Sequence, residues 1–170
     1  MKEQLQTYKI LLVLVTMWCV AIVAAPMLNS LGSSSRAVGV FLYEGFSRVC
    51  HQMDERSLYI AGGKLGVCMR CSAIYFSFLL TLLVLPAVKA VDRLGIPSVR
   101  WLCVFVIPLF VDVLLNDMGI QGSTAWSRLM TGILAGAILP LYIVPPFLDA
   151  VKQIRKSLRN PGEFYARKTQ

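Results

Sequence analysis

Four apolar runs, each about long enough for a helix to cross a bilayer, divide the chain. They cover residues 10–28, 73–91, 99–115 and 129–148. The pattern predicts an all-α polytopic membrane protein with four transmembrane helices in one domain, 1–151, followed by a basic tail, 152–170. A cleaved signal peptide is the alternative for the first run, because small residues stand at Ala24 and Ala25, although Pro26 would hinder cleavage.

A shorter amphipathic segment, residues 36–49, follows the first run. Its apolar residues recur at steps of three and four, which is the period of one helical face: Val38, Phe41, Leu42, Gly45, Phe46 and Val49. Charges at Arg36, Glu44 and Arg48 interrupt it. The segment is too short and too charged to span, so we expect an interfacial helix at the membrane surface.

The composition supports a membrane protein: 56% of the 170 residues are hydrophobic and 15% are charged. The net charge of +8 argues for nucleic acid only weakly, because the basic residues flank apolar runs. With both termini cytoplasmic, eleven basic residues lie inside and six outside. The positive-inside rule therefore predicts this orientation in the cell (inner) membrane. The tail is expected to contact anionic lipid, and no nucleic-acid partner is expected.

Between the amphipathic segment and the second run lie three cysteines and the only histidine: Cys50, His51, Cys68 and Cys71. Two cysteines form a C-x-x-C directly before a predicted helix, whose N-terminus stabilises a thiolate. Three cysteines with one histidine are a ligand set of tetrahedral zinc, and iron or no metal are the alternatives. Adjacent helical residues point about 100° apart, so Cys50 and His51 could both bind only in irregular backbone.

Purely structural roles remain open for these residues. In the oxidising exterior, Cys68 and Cys71 could form a structural disulfide, and His51 could serve only as a hydrogen-bonding group. Cys19 and Cys103 lie inside apolar runs and are expected to be small buried side chains.

A second polar set lies around the end of the third run: Asp112, Asn116, Asp117, Gln121, Ser123, Thr124 and Arg128. A carboxylate inside a span usually faces a partner, a cavity or a site. Because the second and third spans run antiparallel, we expect this set to meet the cysteines at the outer face. Asp112, Gln121 and Arg128 are therefore the candidate catalytic residues, and a structural ion pair between Asp112 and Arg128 is the alternative.

The fourth run carries a small-xxx-small pattern at Gly132 and Gly136. Such a pattern lets a neighbouring helix approach closely. We expect ordinary helix packing at these glycines.

The order of these residues carries a family resemblance. Cys50-His51-Gln52, Glu55-Arg56-Ser57, Cys68-x-Arg70-Cys71 and Ala73-Ile74-Tyr75 stand in the order of a CHQ…ERS…CxRC…IY pattern. The chain thus resembles the small prokaryotic membrane proteins called domain of unknown function 2085. Two residues depart from the family pattern: Ala125 replaces an expected Asn in the later part, and Ser77 stands where Gly is common. The resemblance implies a membrane protein with a site here and implies no particular reaction.

Three function classes follow. The first is a zinc-like Cys/His centre at the extracytoplasmic face, which could act on a lipid or a small molecule. The second is a thiol–disulfide oxidoreductase using Cys68 and Cys71. The third is a small oligomeric transporter lined by Asp112, Asn116 and Arg128. Whether the protein is an enzyme stays open, and no serine-hydrolase or P-loop motif is present.

Overall fold

A computed structural model describes residues 2–31, 33–60, 62–88, 91, 94–120, 122 and 124–159. The side chains of residues 2, 33 and 34 also lie outside the described part. The elements in chain order are α1 (Lys2–Ser30), α2 (Ser33–Ser47), a 3-10 turn (Asp54–Arg56), β1 (Ser57–Ile60), β2 (Gly63–Cys68), α3 (Met69–Val88), α4 (Val99–Asp117) and α5 (Ala125–Arg159).

The four predicted spans are confirmed as helices, and each is long and apolar enough to cross a membrane: α1, α3, α4 and α5. Helices α1 and α5 extend beyond their apolar runs at both ends, α3 begins four residues before its run, and α4 ends two residues after its run. Helix α5 continues to Arg159, so the predicted tail begins inside it, and residues 160–170 lie outside the described part. The domain boundary itself stays a prediction.

A two-stranded antiparallel hairpin, β1 with β2, stands between α2 and α3 and was not predicted from the sequence. Its register pairs Ser57 with Cys68, Tyr59 with Lys64 and Ile60 with Gly63. Gly62, in the turn, has a φ of 76°, a left-handed conformation that glycine adopts without strain. The hairpin delivers Cys68 directly to the start of α3.

Strand β2 is held between α1 and α2. Leu65 and Val67 are buried in a cluster with Ile22 of α1 and Phe46 of α2. A Cβ at Gly66 would lie 2.7 Å from the Phe46 ring, so only glycine allows this contact. The buried cluster fixes the hairpin at one end of the bundle.

Helix α2 uses only part of its predicted apolar face against the protein. Phe46 is buried, whereas Val38 and Phe41 are exposed. The helix packs along α1, where Gly39 lies against the backbone of Asn29. The position of α2 at the membrane surface stays a prediction.

Helices α3 and α5 form the most extensive contact in the molecule. A Cβ at Gly132 would lie 2.8 Å from both the Ala73 Cβ and the Arg70 carbonyl oxygen. At Gly136 it would overlap Ser77 Oγ. The prediction that these glycines allow close helix packing is confirmed.

Helix α4 is the least buried of the four spans. It has no buried residue and packs mainly on α5. The prediction of a buried Cys103 is therefore wrong, because this side chain lies on the exposed part of α4. Cys19 is buried as predicted, and its thiol donates a hydrogen bond to the Tyr75 carbonyl oxygen at 3.5 Å.

Candidate metal centre

Three of the four predicted ligands come together in space. Cys50 follows the end of α2, where its N–H donates to the Phe46 carbonyl oxygen at 2.9 Å. Cys68 ends β2 and Cys71 lies in the first turn of α3. Their three Sγ atoms lie within 4.8 Å of one another, and the cluster is buried or half-buried. This group could hold a metal ion.

Hydrogen bonds order the sulfurs and favour a thiolate at Cys68. The Cys68 N–H donates to Cys50 Sγ at 3.1 Å. The pKa of the Cys68 thiol is lowered to about 5, although burial raises it, and the largest cause is a hydrogen bond from the Cys71 thiol. Backbone hydrogen bonds from Cys71 and Arg70, at the start of α3, contribute to this lowering. The helix N-terminus therefore stabilises the charged sulfur, as the sequence predicts.

Gln52 fixes the loop that carries Cys50. Its φ is 49°, which is unusual for a residue with a side chain. Its Nε2 donates to the carbonyl oxygens of Tyr43 and Gly66, both at 2.8 Å. Lys64 Nζ donates to the Gln52 carbonyl oxygen at 2.8 Å and to Asp54 Oδ1 at 2.6 Å.

Sequence reasoning did not assign Gln52 to the site. The available signal was its place directly after Cys50-His51 in the quoted pattern. Its structural role could not be seen there, because it depends on the distant carbonyl groups that its amide reaches.

His51 is exposed and is not a member of the three-sulfur group. The backbone here is irregular, as two adjacent ligands would require, yet only the Cys50 side chain points into the cluster. The described structure thus contains a group of three cysteines, whereas the sequence predicted three cysteines together with one histidine.

Asp112 joins the site through Arg70. The Arg70 guanidinium donates from Nη2 to Asp112 Oδ2, and the two side chains are only 18% and 13% exposed. This ion pair connects α3 with α4 through Arg70, the residue before Cys71. It brings one residue of the second polar set, Asp112, to the C-x-x-C segment. The partner of Asp112 in the ion pair is Arg70, whereas the sequence suggested Arg128.

Arg128, at the start of α5, lies close to the same groups. Arg56, Arg70, Asp112 and Cys68 all act electrostatically on its guanidinium. Asn116 is half-buried and donates to Asp117 Oδ1 at 3.5 Å. Gln121, the third predicted catalytic residue, lies outside the described residues.

Fold and site together define a multi-pass membrane protein with a cysteine cluster where its hairpin meets α3. The family model described as "Predicted membrane protein (DUF2085)" matches residues 50–156. The chain therefore belongs to the DUF2085 family, which confirms the resemblance.

Uncharacterized protein MJ1492 of Methanocaldococcus jannaschii is similar to this chain, with 33% identity over 147 residues. The match covers 85% of this chain and 94% of that protein. No solved structure matches the chain.

Proposed function

We propose that Cys50, Cys68 and Cys71 bind a zinc ion at the extracytoplasmic face of the membrane, and that the ion acts on a lipid or a small molecule. The observation that supports this most directly is the approach of three Sγ atoms to within 4.8 Å. Tetrahedral zinc with Zn–S bonds of about 2.3 Å needs sulfurs slightly less than about 4 Å apart. A small contraction of the cluster is enough to bind the ion.

The surroundings suit a soft metal bound by thiolates. Thiolate ligands select zinc and iron–sulfur chemistry over hard cations. Arg70 and Arg128 lie beside the sulfurs and offset the negative charge of deprotonated cysteines. Zinc is preferred here because it needs no second metal or inorganic sulfide to complete the site.

The number of protein ligands favours catalysis over a structural role. Structural zinc sites have four protein ligands, whereas catalytic sites have three and keep one position for water or substrate. His51 is exposed and outside the group, and among the described residues no fourth His, Cys, Asp or Glu joins it. We therefore assign the fourth position to water or substrate. A zinc-bound water has a pKa of about 7 and would be a nucleophile for hydrolysis or group transfer.

Asp112 and Arg128 are proposed to act on the substrate side of the ion. Asp112 is anchored by Arg70, which lies between Cys68 and Cys71 in the chain. Gln121 is retained as a further candidate from the sequence alone.

X-ray absorption at the zinc edge on the detergent-purified protein tests the open position. We expect three sulfur ligands at about 2.3 Å and one oxygen ligand at about 2.0 Å. A shell of four protein ligands, with the imidazole scattering of His51, would show a closed structural site. A zinc signal without sulfur would contradict the centre altogether.

Thiol–disulfide exchange is the second candidate, because the Sγ atoms of Cys68 and Cys71 are within reach of each other and of Cys50. In this case the Cys68 thiolate attacks a substrate disulfide, and Cys71 resolves the mixed disulfide while the substrate leaves as a dithiol. Mass spectrometry after alkylation with and without reductant separates the two candidates. A reversible Cys68–Cys71 disulfide in metal-free protein favours exchange.

The third function class, a small oligomeric transporter, remains a prediction from the sequence.

A further inference from the structure

Three arginines from three different elements lie close to one another and to Cys68. Arg56 ends the 3-10 turn and precedes Ser57, which pairs with Cys68 in the hairpin. Arg70 lies in the first turn of α3. Arg128 is one helical turn before Gly132, and Gly132 packs on the Arg70 carbonyl group. The hairpin register and the α3–α5 contact therefore bring these side chains together.

Arg56, Arg70 and Arg128 form an arginine cluster. Arg56, Arg70, Asp112 and Cys68 all act electrostatically on the Arg128 guanidinium. Like charges held this close together repel one another, and a bound anion relieves that repulsion.

Arg70 also presents a donor that the protein does not use. Its Nη2 is bound to Asp112, whereas its buried Nε–H has no hydrogen-bond partner among the described residues. A buried donor without a partner is unfavourable by about 1–3 kcal/mol. An oxygen of a bound anion at this position would satisfy it.

We propose that the arginine cluster binds a phosphate group, so that the substrate of the neighbouring centre is a phosphate-bearing molecule. The substrate assignment rests on the proposed zinc centre, whereas phosphate binding by the arginines does not. Guanidinium groups bind phosphate through paired N–H donors, and a tetrahedral group can accept from three arginines at once. A planar carboxylate has too few oxygens for this arrangement. The phosphate belongs either to a lipid headgroup or to a soluble phosphate compound.

The test uses the full chain loaded with zinc in a maltoside detergent, which contains no phosphate. One arm titrates inorganic phosphate by calorimetry. The other adds phosphatidic acid in mixed micelles, with diacylglycerol as the phosphate-free control. The variants are Arg56→Gln and Arg128→Gln, and Arg36→Gln is the matched control because Arg36 is exposed on α2. Arg70→Gln is paired with Asp112→Asn, so that neither charge is left alone.

We expect wild type to bind phosphate, phosphatidic acid or both, and which of them it binds identifies the source. Arg56→Gln and Arg128→Gln should each weaken binding about tenfold or more, the loss expected for a charge-assisted hydrogen bond. Arg36→Gln should bind as wild type does. Absence of binding to zinc-loaded wild type, or equal binding by all variants, would overturn the phosphate site.

Zinc content is measured on the same samples, so the two proposals fail separately. Arginine-dependent phosphate binding without zinc would contradict the metal centre and leave the phosphate site standing. Loss of zinc from the arginine variants would show that the arginines serve the metal, and would count against the phosphate site.

Discussion

Gln52 shows how single residues hold the sulfur cluster together. Its backbone is in the left-handed region, which is unfavourable for a residue with a Cβ by about 1 kcal/mol or more. The two hydrogen bonds from its amide, to α2 and to β2, offset this strain. Directly before this turn, Cys50 lies in the cluster and His51 is exposed.

The first prediction concerns His51. His51→Ala should retain zinc at the wild-type stoichiometry, because the imidazole is exposed and outside the three-sulfur group. Zinc analysis of the purified variant checks this. The matched control is Cys50→Ser, the neighbouring residue, which should lose the metal. If His51→Ala also lost its zinc, the site would have four protein ligands and no open position.

Three of the four ligands predicted from the sequence, Cys50, Cys68 and Cys71, lie together in the structure. C-x-x-C before a helix restricts where two of these sulfurs can lie. The sequence did not exclude His51, since the directions of two neighbouring side chains can be told apart only when the backbone conformation is known. It also missed the choice of Arg70 as the partner of Asp112. That choice depends on the rotation of α3 and α4 about their axes, which an apolar run does not specify.

At the level of elements, the hairpin and α3 together create the site. Strand β2 ends at Cys68 and α3 begins at Met69, so the first helical turn directly follows a strand anchored between α1 and α2. The backbone N–H groups of this turn reach the Cys68 sulfur. A shift of the hairpin along its register would move Cys68 away from Cys50.

The second prediction concerns the α3–α5 contact. Gly136→Ala should lower the free energy of unfolding by about 1–3 kcal/mol, because its Cβ would overlap Ser77 Oγ and the Ile74 carbonyl group. Gly45→Ala is the control, since a Cβ there meets nothing within 4 Å. Thermal unfolding in detergent compares the two. Equal midpoints for both variants would contradict the close packing of α3 on α5.

The third prediction concerns the tie between α3 and α4. Asp112→Asn should destabilise the protein by about 3 kcal/mol, because the largely buried Arg70 loses its counter-charge. Asp117→Asn, on the exposed end of the same helix, should change little. The double variant Arg70→Met/Asp112→Leu should recover much of the loss, since no unpaired charge remains. Denaturant unfolding measures all three, and a double variant no better than Asp112→Asn would count against the ion pair.

The spans could be predicted from the sequence because a bilayer demands about 20 apolar residues, whatever else the chain does. The hairpin could not, because it is short and contains three glycines and a lysine: Gly62 and Gly63 at the turn, with Lys64 and Gly66 beyond. Its stability comes from burial of Leu65 and Val67 against α1 and α2, which is a tertiary effect.

The whole molecule is a multi-pass membrane protein whose apolar surface extends beyond its own core. Many large apolar side chains on the four spans are exposed, and α4 has no buried residue. Lipid is the natural environment for such surfaces. Which side of the membrane carries the cysteine cluster is a proposal from the distribution of basic residues.

The fourth prediction concerns orientation. With both termini cytoplasmic, a green fluorescent protein fused after Gln170 should fluoresce, and alkaline phosphatase at the same place should be inactive. The reason is that eleven basic residues would then lie on the cytoplasmic side and six on the opposite side. A cysteine added in the exposed turn before β1, for example Glu55→Cys, should react with a membrane-impermeant maleimide in intact cells and raise the labelling above that of wild type. Active phosphatase at the C-terminus would place the centre on the cytoplasmic side.

The central claim is that three cysteines bind one metal ion, and elemental analysis of the detergent-purified protein tests it most directly. We predict about one zinc per chain in wild type and in Cys103→Ser, whose cysteine is exposed on α4 far from the cluster in sequence. Cys50→Ser, Cys68→Ser and Cys71→Ser should each lose the ion, because two thiolates alone bind zinc much more weakly. A metal-free wild type with two thiols that appear only after reduction would contradict the zinc centre and leave disulfide chemistry at Cys68 and Cys71.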